Sequence, residues 1–194
     1  MEILVAGDCI FYVKGLLTED LCRTAIENYQ RDPRRHPGYT VGSRGENKSY
    51  DEVKVSTDLG IDSEGVWTAI HEQLHQTVSR VVLSIAAQFP SLRVWPLRTT
   101  GYKIQHYRKN EGHFKWHFDA LGPGAWERQL AIVIFLNSVE QGGETCEKDS
   151  GAEVVHGDVP LLKEKPQLEV VPARSAARAC VAATRRIRAF AGPH

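Results

Sequence analysis

Tyr102-Lys-Ile-Gln-His-Tyr107, Phe114-Lys-Trp-His-Phe-Asp119 and Leu130-Ala-Ile-Val-Ile-Phe-Leu136 are three apolar-rich runs cut apart by turn chemistry. Asn110-Glu-Gly112 divides the first two, Gly122-Pro-Gly124 the second and third, and Gly142-Gly143 follows. Short runs bounded by Gly, Pro and Asn read as β-strands joined by tight turns. Arg93-Val-Trp95 before them and Leu168-Glu-Val-Val171 after them extend the meander.

Upstream the texture differs. Met1 to Ala6 and Cys9 to Val13 are strand-like, and Gly15-Leu-Leu-Thr18 leads into a helix. Thr18 suits an N-cap, with Glu19 and Asp20 in the first turn, and the helix is expected to reach about Tyr29. Residues 31–51, with Pro33, Pro37, Gly38, Gly42 and Gly45, read as a long surface loop. After Asp62-Ser63, Trp67, Ile70, Leu74, Val78, Val81, Val82 and Ile85 recur at three- and four-residue steps, giving a helix to about Gln88. Pro90 then ends it. Helices followed by short strands imply an α+β fold with a jelly-roll or barrel core against which the long helix packs. The expected layout is a single domain over 1–194, with 1–92 as support, 93–173 as jelly-roll core and 174–194 as an atypical tail.

Bulk composition excludes several classes. Lysine plus arginine and aspartate plus glutamate are 24 each, so no net field draws the chain to nucleic acid or to a membrane surface. The apolar share of 42% and charged share of 25% suit an ordinary globular protein, and no apolar run reaches spanning length. Cys9, Cys22, Cys146 and Cys180 are scattered without a CxxC pair, which reads as free thiols in a reducing compartment and a cytoplasmic location.

The chemistry sits at the end of the second run. On a strand, i and i+2 face the same way, so His117 and Asp119 set an imidazole beside a carboxylate. These are two members of a two-histidine, one-carboxylate triad, the set that leaves ferrous iron open positions for a co-substrate and dioxygen. His-x-Asp alone is weak, expected about 0.4 times by composition in such a chain. A second copy, His156-Gly157-Asp158, lies among Gly and Pro and reads as accidental. What promotes the first is its setting: a tyrosine-bearing strand, a Gly hairpin, then Arg128, an apolar strand ending Leu136-Asn137, and Gly142-Gly-Glu-Thr145.

That order resembles the core of the prolyl 4-hydroxylase-like branch of the iron(II)- and 2-oxoglutarate-dependent dioxygenases, tightly over 102–145 and loosely from residue 9. The resemblance implies a double-stranded β-helix, Fe(II) as metal, 2-oxoglutarate as co-substrate, ascorbate as reductant and a protein or peptide side chain as substrate. His117 and Asp119 would be iron ligands and Tyr107 a hydrogen-bond partner of the co-substrate's distal carboxylate. Phe114 falls near a position that lines the substrate, and Ala131 replaces a threonine. The family also needs a second histidine on a later strand, and about ten residues on a lysine or arginine for the distal carboxylate. Instead, 174–194 carries five Arg and seven Ala without clear alternation. Such a composition is what out-of-frame reading of G+C-rich DNA produces, so the last strands are expected to be missing and a sheet edge exposed. His194 is the remaining candidate for the third ligand. The alternatives are a catalytically incomplete relic or binding module of the same fold, and a zinc peptidase.

The zinc alternative rests on His71-Glu-Gln-Leu-His75, which matches H-E-x-x-H, two ligands one helical turn apart with Glu72 as general base. The pair lies on one flank of the apolar stripe of the long helix, with no third ligand on a following helix. Coincidence is the preferred account.

Overall fold

The computed structural model describes residues 2–6, 10–41, 47–89, 97–118, 130–139, 145–149, 152–155, 166–172, 176–179 and 186–191. In chain order these give β1 (Glu2–Ala6), β2 (Ile10–Lys14), α1 (Glu19–Arg31), β3 (His36–Pro37), β4 (Thr40–Val41), β5 (Asn47–Lys48), β6 (Lys54–Val55) and β7 (Thr57–Ile61). A 3-10 turn (Gly65–Trp67) opens into α2 (Thr68–Gln88). Then follow β8 (Tyr102–Tyr107), β9 (His113–Phe118), β10 (Leu130–Phe135), β11 (Thr145–Asp149), β12 (Ala152–Val155), β13 (Pro166–Pro172), β14 (Ala176–Ala179) and β15 (Arg186–Ala191).

Two larger antiparallel sheets hold these strands. One has the order β1-β2-β13-β10-β15-β8-β7-β3, the other β12-β11-β14-β9-β6. From β8 onward the chain passes between them: β8, β10, β13 and β15 lie in the first, β9, β11, β12 and β14 in the second. β4 and β5 form a small hairpin inside the stretch expected to be all loop.

The helices form for the reasons their sequences state. Thr18 caps α1, its hydroxyl accepting from Leu21 N at 3.2 Å. Cys22, Ala25 and Tyr29 bury one face of α1, while Ile70, Leu74, Val78, Val81 and Ile85 bury the stripe of α2. Both stripes share one core with Ile104, Ile132 and Ile134 of the first sheet. Asp32 clips the end of α1 to the start of α2. Its carboxylate accepts from Trp67 Nε1 at 2.8 Å and from Arg34, which also reaches Asp62. Arg34 holds the Asp32 carboxyl well below the usual carboxylate range.

The tail corrects the sequence reading. The last strands are present, because β14 and β15 are built from the stretch expected to have none. No open edge results at β15, which pairs with β10 on one side and β8 on the other. Alanine and arginine are poor strand formers on propensity. Pairing on both edges overrides that preference, since strand propensity mostly measures context.

Candidate active site

The turn that carries the chain from β8 in one sheet to β9 in the other sets the spacing between Tyr107 and His117. Gly112 N donates to Arg108 O at 3.0 Å, and Asn110 takes a left-handed φ of 63°. A Cβ on Gly112 would lie 2.8 Å from both Arg108 N and Tyr107 Cα, so only glycine lets the turn close this tightly.

β9 is irregular where it matters. Against β14, Ala177 faces His117 and Ala179 faces Phe114. Three steps along β9 therefore match two along β14, which is a β-bulge. Plain alternation would put Phe114 and His117 on opposite faces. The extra residue brings them to one face, and their rings stack at 3.5 Å with 9° between planes.

His117 Nδ1 lies 2.8 Å from Lys115 O. A carbonyl can only accept, so Nδ1 carries a hydrogen and donates it to Lys115 O. A metal-ligating histidine is commonly oriented in this way. Asp119, His156 and His194 lie outside the described residues. Opposite His117 in register, β14 has Ala177. Among the described residues, no group of three His, Cys, Asp or Glu could hold a metal ion.

Beside this lies a buried charged network that sequence reasoning missed. Lys54 and Asp58, 1% and 2% exposed, pair at 2.6 Å. Asp58 also accepts from Ser56 Oγ at 2.7 Å, and Lys103 Nζ stands 3.7 Å away. Burial works against the Asp58 carboxylate, yet Lys54 and Lys103 outweigh it and hold its pKa below the ordinary value. The amide of Gln105 is settled by its neighbours. With its oxygen accepting from Lys54 at 2.7 Å and Lys103 at 3.2 Å, its nitrogen donates to Tyr107 Oη at 3.2 Å. In the other orientation an N–H group would face an ammonium. Lys54 Nζ sits 5.2 Å from the Phe114 ring, so the network runs from Tyr107 through Gln105 and Lys54 to Phe114 and His117. Gly38 closes over it, where a Cβ would fall 2.1 Å from Ser56 Oγ and 3.0 Å from Lys54 Cε.

Little in the sequence announced these residues. A lysine in a short strand reads as solvent-facing, and nothing local reveals that Lys54 and Asp58 are enclosed. On β15, Arg186 lies opposite Tyr107 and Arg188 opposite Gln105 in register.

The remaining histidines lie elsewhere. His106 packs edge-on against Tyr29, with ring centroids 5.8 Å apart. His113, on β9, lies 3.4 Å from Glu111 O through Nδ1. His71 and His75 stack on α2 at 6.5 Å, beside Tyr102, with Glu72 exposed. No third donor joins them among the described residues.

No family model matches the chain. It is 26% identical over 141 residues to prolyl 4-hydroxylase 13 of Arabidopsis thaliana, a match covering 70% of this chain and 46% of that protein. The chain thus spans about half the length of the curated relative it matches. Its fold is similar to that of a Trichoplax adhaerens prolyl hydroxylase solved with a hypoxia inducible factor peptide fragment. That TM-score is 0.72 at 13% identity, covering 94% of this chain and 81% of the other. A Pseudomonas putida prolyl-4-hydroxylase gives a TM-score of 0.63 at 16% identity, covering 95% and 91%. A viral collagen prolyl hydroxylase from Paramecium Bursaria Chlorella virus-1 gives 0.61 at 11%, covering 95% and 94%. The likeness to prolyl 4-hydroxylases drawn from Tyr102 to Thr145 is borne out.

Proposed function

We propose that this prolyl 4-hydroxylase-like chain is an iron(II)- and 2-oxoglutarate-dependent dioxygenase that hydroxylates a protein or peptide side chain. The observation that carries the reading is the joint position of His117 and Tyr107. They sit on consecutive strands of the two sheets, linked through Gln105, Lys54 and Phe114. The passage of β8 to β15 between two sheets supports a double-stranded β-helix around them.

His117 Nε2 and Asp119 would hold the metal, the first oriented by the Nδ1–H bond to Lys115 O. When bound, the iron and 2-oxoglutarate supply the oxidative chemistry, decarboxylation to succinate coupled to C–H hydroxylation, with ascorbate as reductant. The chain's residues bind and orient. Tyr107 would donate to the distal carboxylate of the co-substrate, as the resemblance implies. Phe114 backs the His117 ring and restricts its rotation.

A second reading, a relic that keeps the fold without turnover, is favoured by Ala177. It occupies the register position opposite His117 and offers no donor, which leaves the two named ligands unless His194 joins them. One experiment separates the two. Purified chain is given ferrous iron, ascorbate and 2-oxoglutarate, with and without proline-containing peptides, and succinate is measured. Turnover that His117→Ala abolishes establishes the enzyme. Absence of succinate, together with absence of 2-oxoglutarate binding in calorimetry with Mn(II), leaves the relic.

A further inference from the structure

We infer that the hollow over Gly60, walled by Lys103 and by Tyr39 stacked on His36, is a subsite for an acidic side chain of the peptide substrate, a few residues along the peptide from the one hydroxylated. As a substrate subsite it rests on the dioxygenase reading and adds a selectivity to it.

β7 fills only one of its faces. Leu59 and Ile61 join the core under the helices, while Asp58 and Gly60 alternate to the other side. Gly60 lies opposite Lys103 on β8, and Asp58 opposite Gln105. At Gly38 and Gly112 an added Cβ would collide with neighbours, so close packing explains those glycines. Gly60 is different. Among the described residues nothing would stand within 4 Å of its Cβ, and its φ is not positive. Neither packing nor backbone geometry asks for glycine here. A glycine inside a strand weakens it, and often marks a place where a ligand approaches closely.

The walls are of two kinds. Lys103, its side chain 29% exposed, stands 3.7 Å from Asp58 Oδ2, beyond hydrogen-bond distance. Lys54 holds that oxygen at 2.6 Å, and Ser56 holds Oδ1 at 2.7 Å. An ammonium has three hydrogens to give, and the Gln105 amide, 3.2 Å away, can accept at most one of them. Lys103 therefore keeps donors for a carboxylate that arrives from solvent. The half-buried Tyr39 ring lies 5.9 Å from the same ammonium and stacks on His36 with 18° between planes. His36 is itself opposite Asp58 on β3. A short apolar stem can lie on the Tyr39 ring while its carboxylate meets Lys103. Contacts from Asp58 through Lys54 and Phe114 lead from this hollow to His117. An extended peptide, gaining about 3.3 Å per residue, spans that distance in a few residues.

The test uses short fluorescein-labelled peptides with one proline and a glutamate walked away from it in both directions, each paired with its glutamine counterpart. Binding is read by fluorescence anisotropy, with and without Mn(II) and 2-oxoglutarate. At one spacing the glutamate peptide should bind about threefold or more tightly than its counterpart, and added salt should shrink the difference. Lys103→Gln should remove the difference while the glutamine peptide binds as before. Gly60→Val fills the hollow. Its Tm should hold or rise, since a β-branched residue suits a strand, and the glutamate preference should still disappear. No preference at any spacing, or a preference that survives either variant, overturns the subsite while succinate formation upholds the dioxygenase reading. A Tm that falls in Gly60→Val also overturns it, because the chain itself then fills the space. A preference that both variants abolish, in a protein that neither binds 2-oxoglutarate nor forms succinate, keeps the peptide subsite and removes the dioxygenase reading.

Discussion

The two ends of the candidate site are built to different standards. At the Tyr107 end, Lys54, Asp58, Gln105, Ser56 and Lys103 bond one another, with Lys54, Asp58 and Gln105 buried. At the His117 end, one imidazole rests on an aromatic ring, and the strand opposite presents alanine. The network is over-determined because removing water from charges demands that each be paired. A metal site has no such demand until the metal arrives. The polar end therefore carries stability, whereas the proposed metal end would carry function alone.

The largest expected effect follows from that contrast. Asp58→Ala strands the Lys54 ammonium in a closed site and should cost about 3–5 kcal/mol, read by urea unfolding. His117→Ala, by the same measurement, should cost about 1 kcal/mol or less. Equal costs would erase the distinction between the two ends.

Acid sharpens it next. The Asp58 and Asp32 pKa values are both depressed in the folded state. Their stabilisation is fully present above the ordinary carboxylate range and is lost as pH falls through the folded values. Stability should therefore decline below about pH 4. Asp58→Asn should flatten that decline while lowering stability near neutrality. A decline of unchanged steepness in the variant would assign it to other groups.

At the metal end the comparison can be broken by construction. Ala177→His places an imidazole at the register position opposite His117. On the proposed ligation by His117 and Asp119, an added imidazole should tighten Mn(II) or Fe(II) binding by roughly tenfold or more, measured by calorimetry. No gain would mean that β14 does not bring this position to the metal. Gly112→Ala, which pushes a methyl into the Tyr107 backbone, should cost about 1–3 kcal/mol and loosen the spacing between the two ends. Its sign is a lower Tm together with weaker 2-oxoglutarate binding. The smallest effect belongs to α2, where His71→Ala should leave the metal content unchanged.

How far the sequence could be read depends on whether each signal is local. The α2 stripe is a property of one helix, and Trp67, Ile70, Leu74, Val78, Val81 and Ile85 are all buried as the period requires. Thr18 caps α1 because capping involves only three residues. The placement of Lys54 against Asp58 and Gln105 depends on strands distant in sequence, and no window contains it. The bulge between Phe114 and His117 is likewise invisible, since alternation assumes the regular strand that the bulge breaks. The tail misled for the opposite reason. Its composition was weighed as propensity, whereas β10 and β8 impose extended backbone from both sides.

The position of β15 also orders the assembly of the molecule in time. Its partners β8 and β10 begin at Tyr102 and Leu130, and the strand that joins them begins only at Arg186. Until that segment arrives, the two partners present facing rows of unmatched N–H and C=O groups across a gap one strand wide. Contacts between residues so far apart in sequence close slowly. A nascent or truncated chain thus carries a slot that fits any extended peptide, its own or a neighbour's. Removing the residues from Arg186 onward should turn a late folding step into a lasting vacancy, visible as aggregation that an added peptide of the 186–191 sequence suppresses.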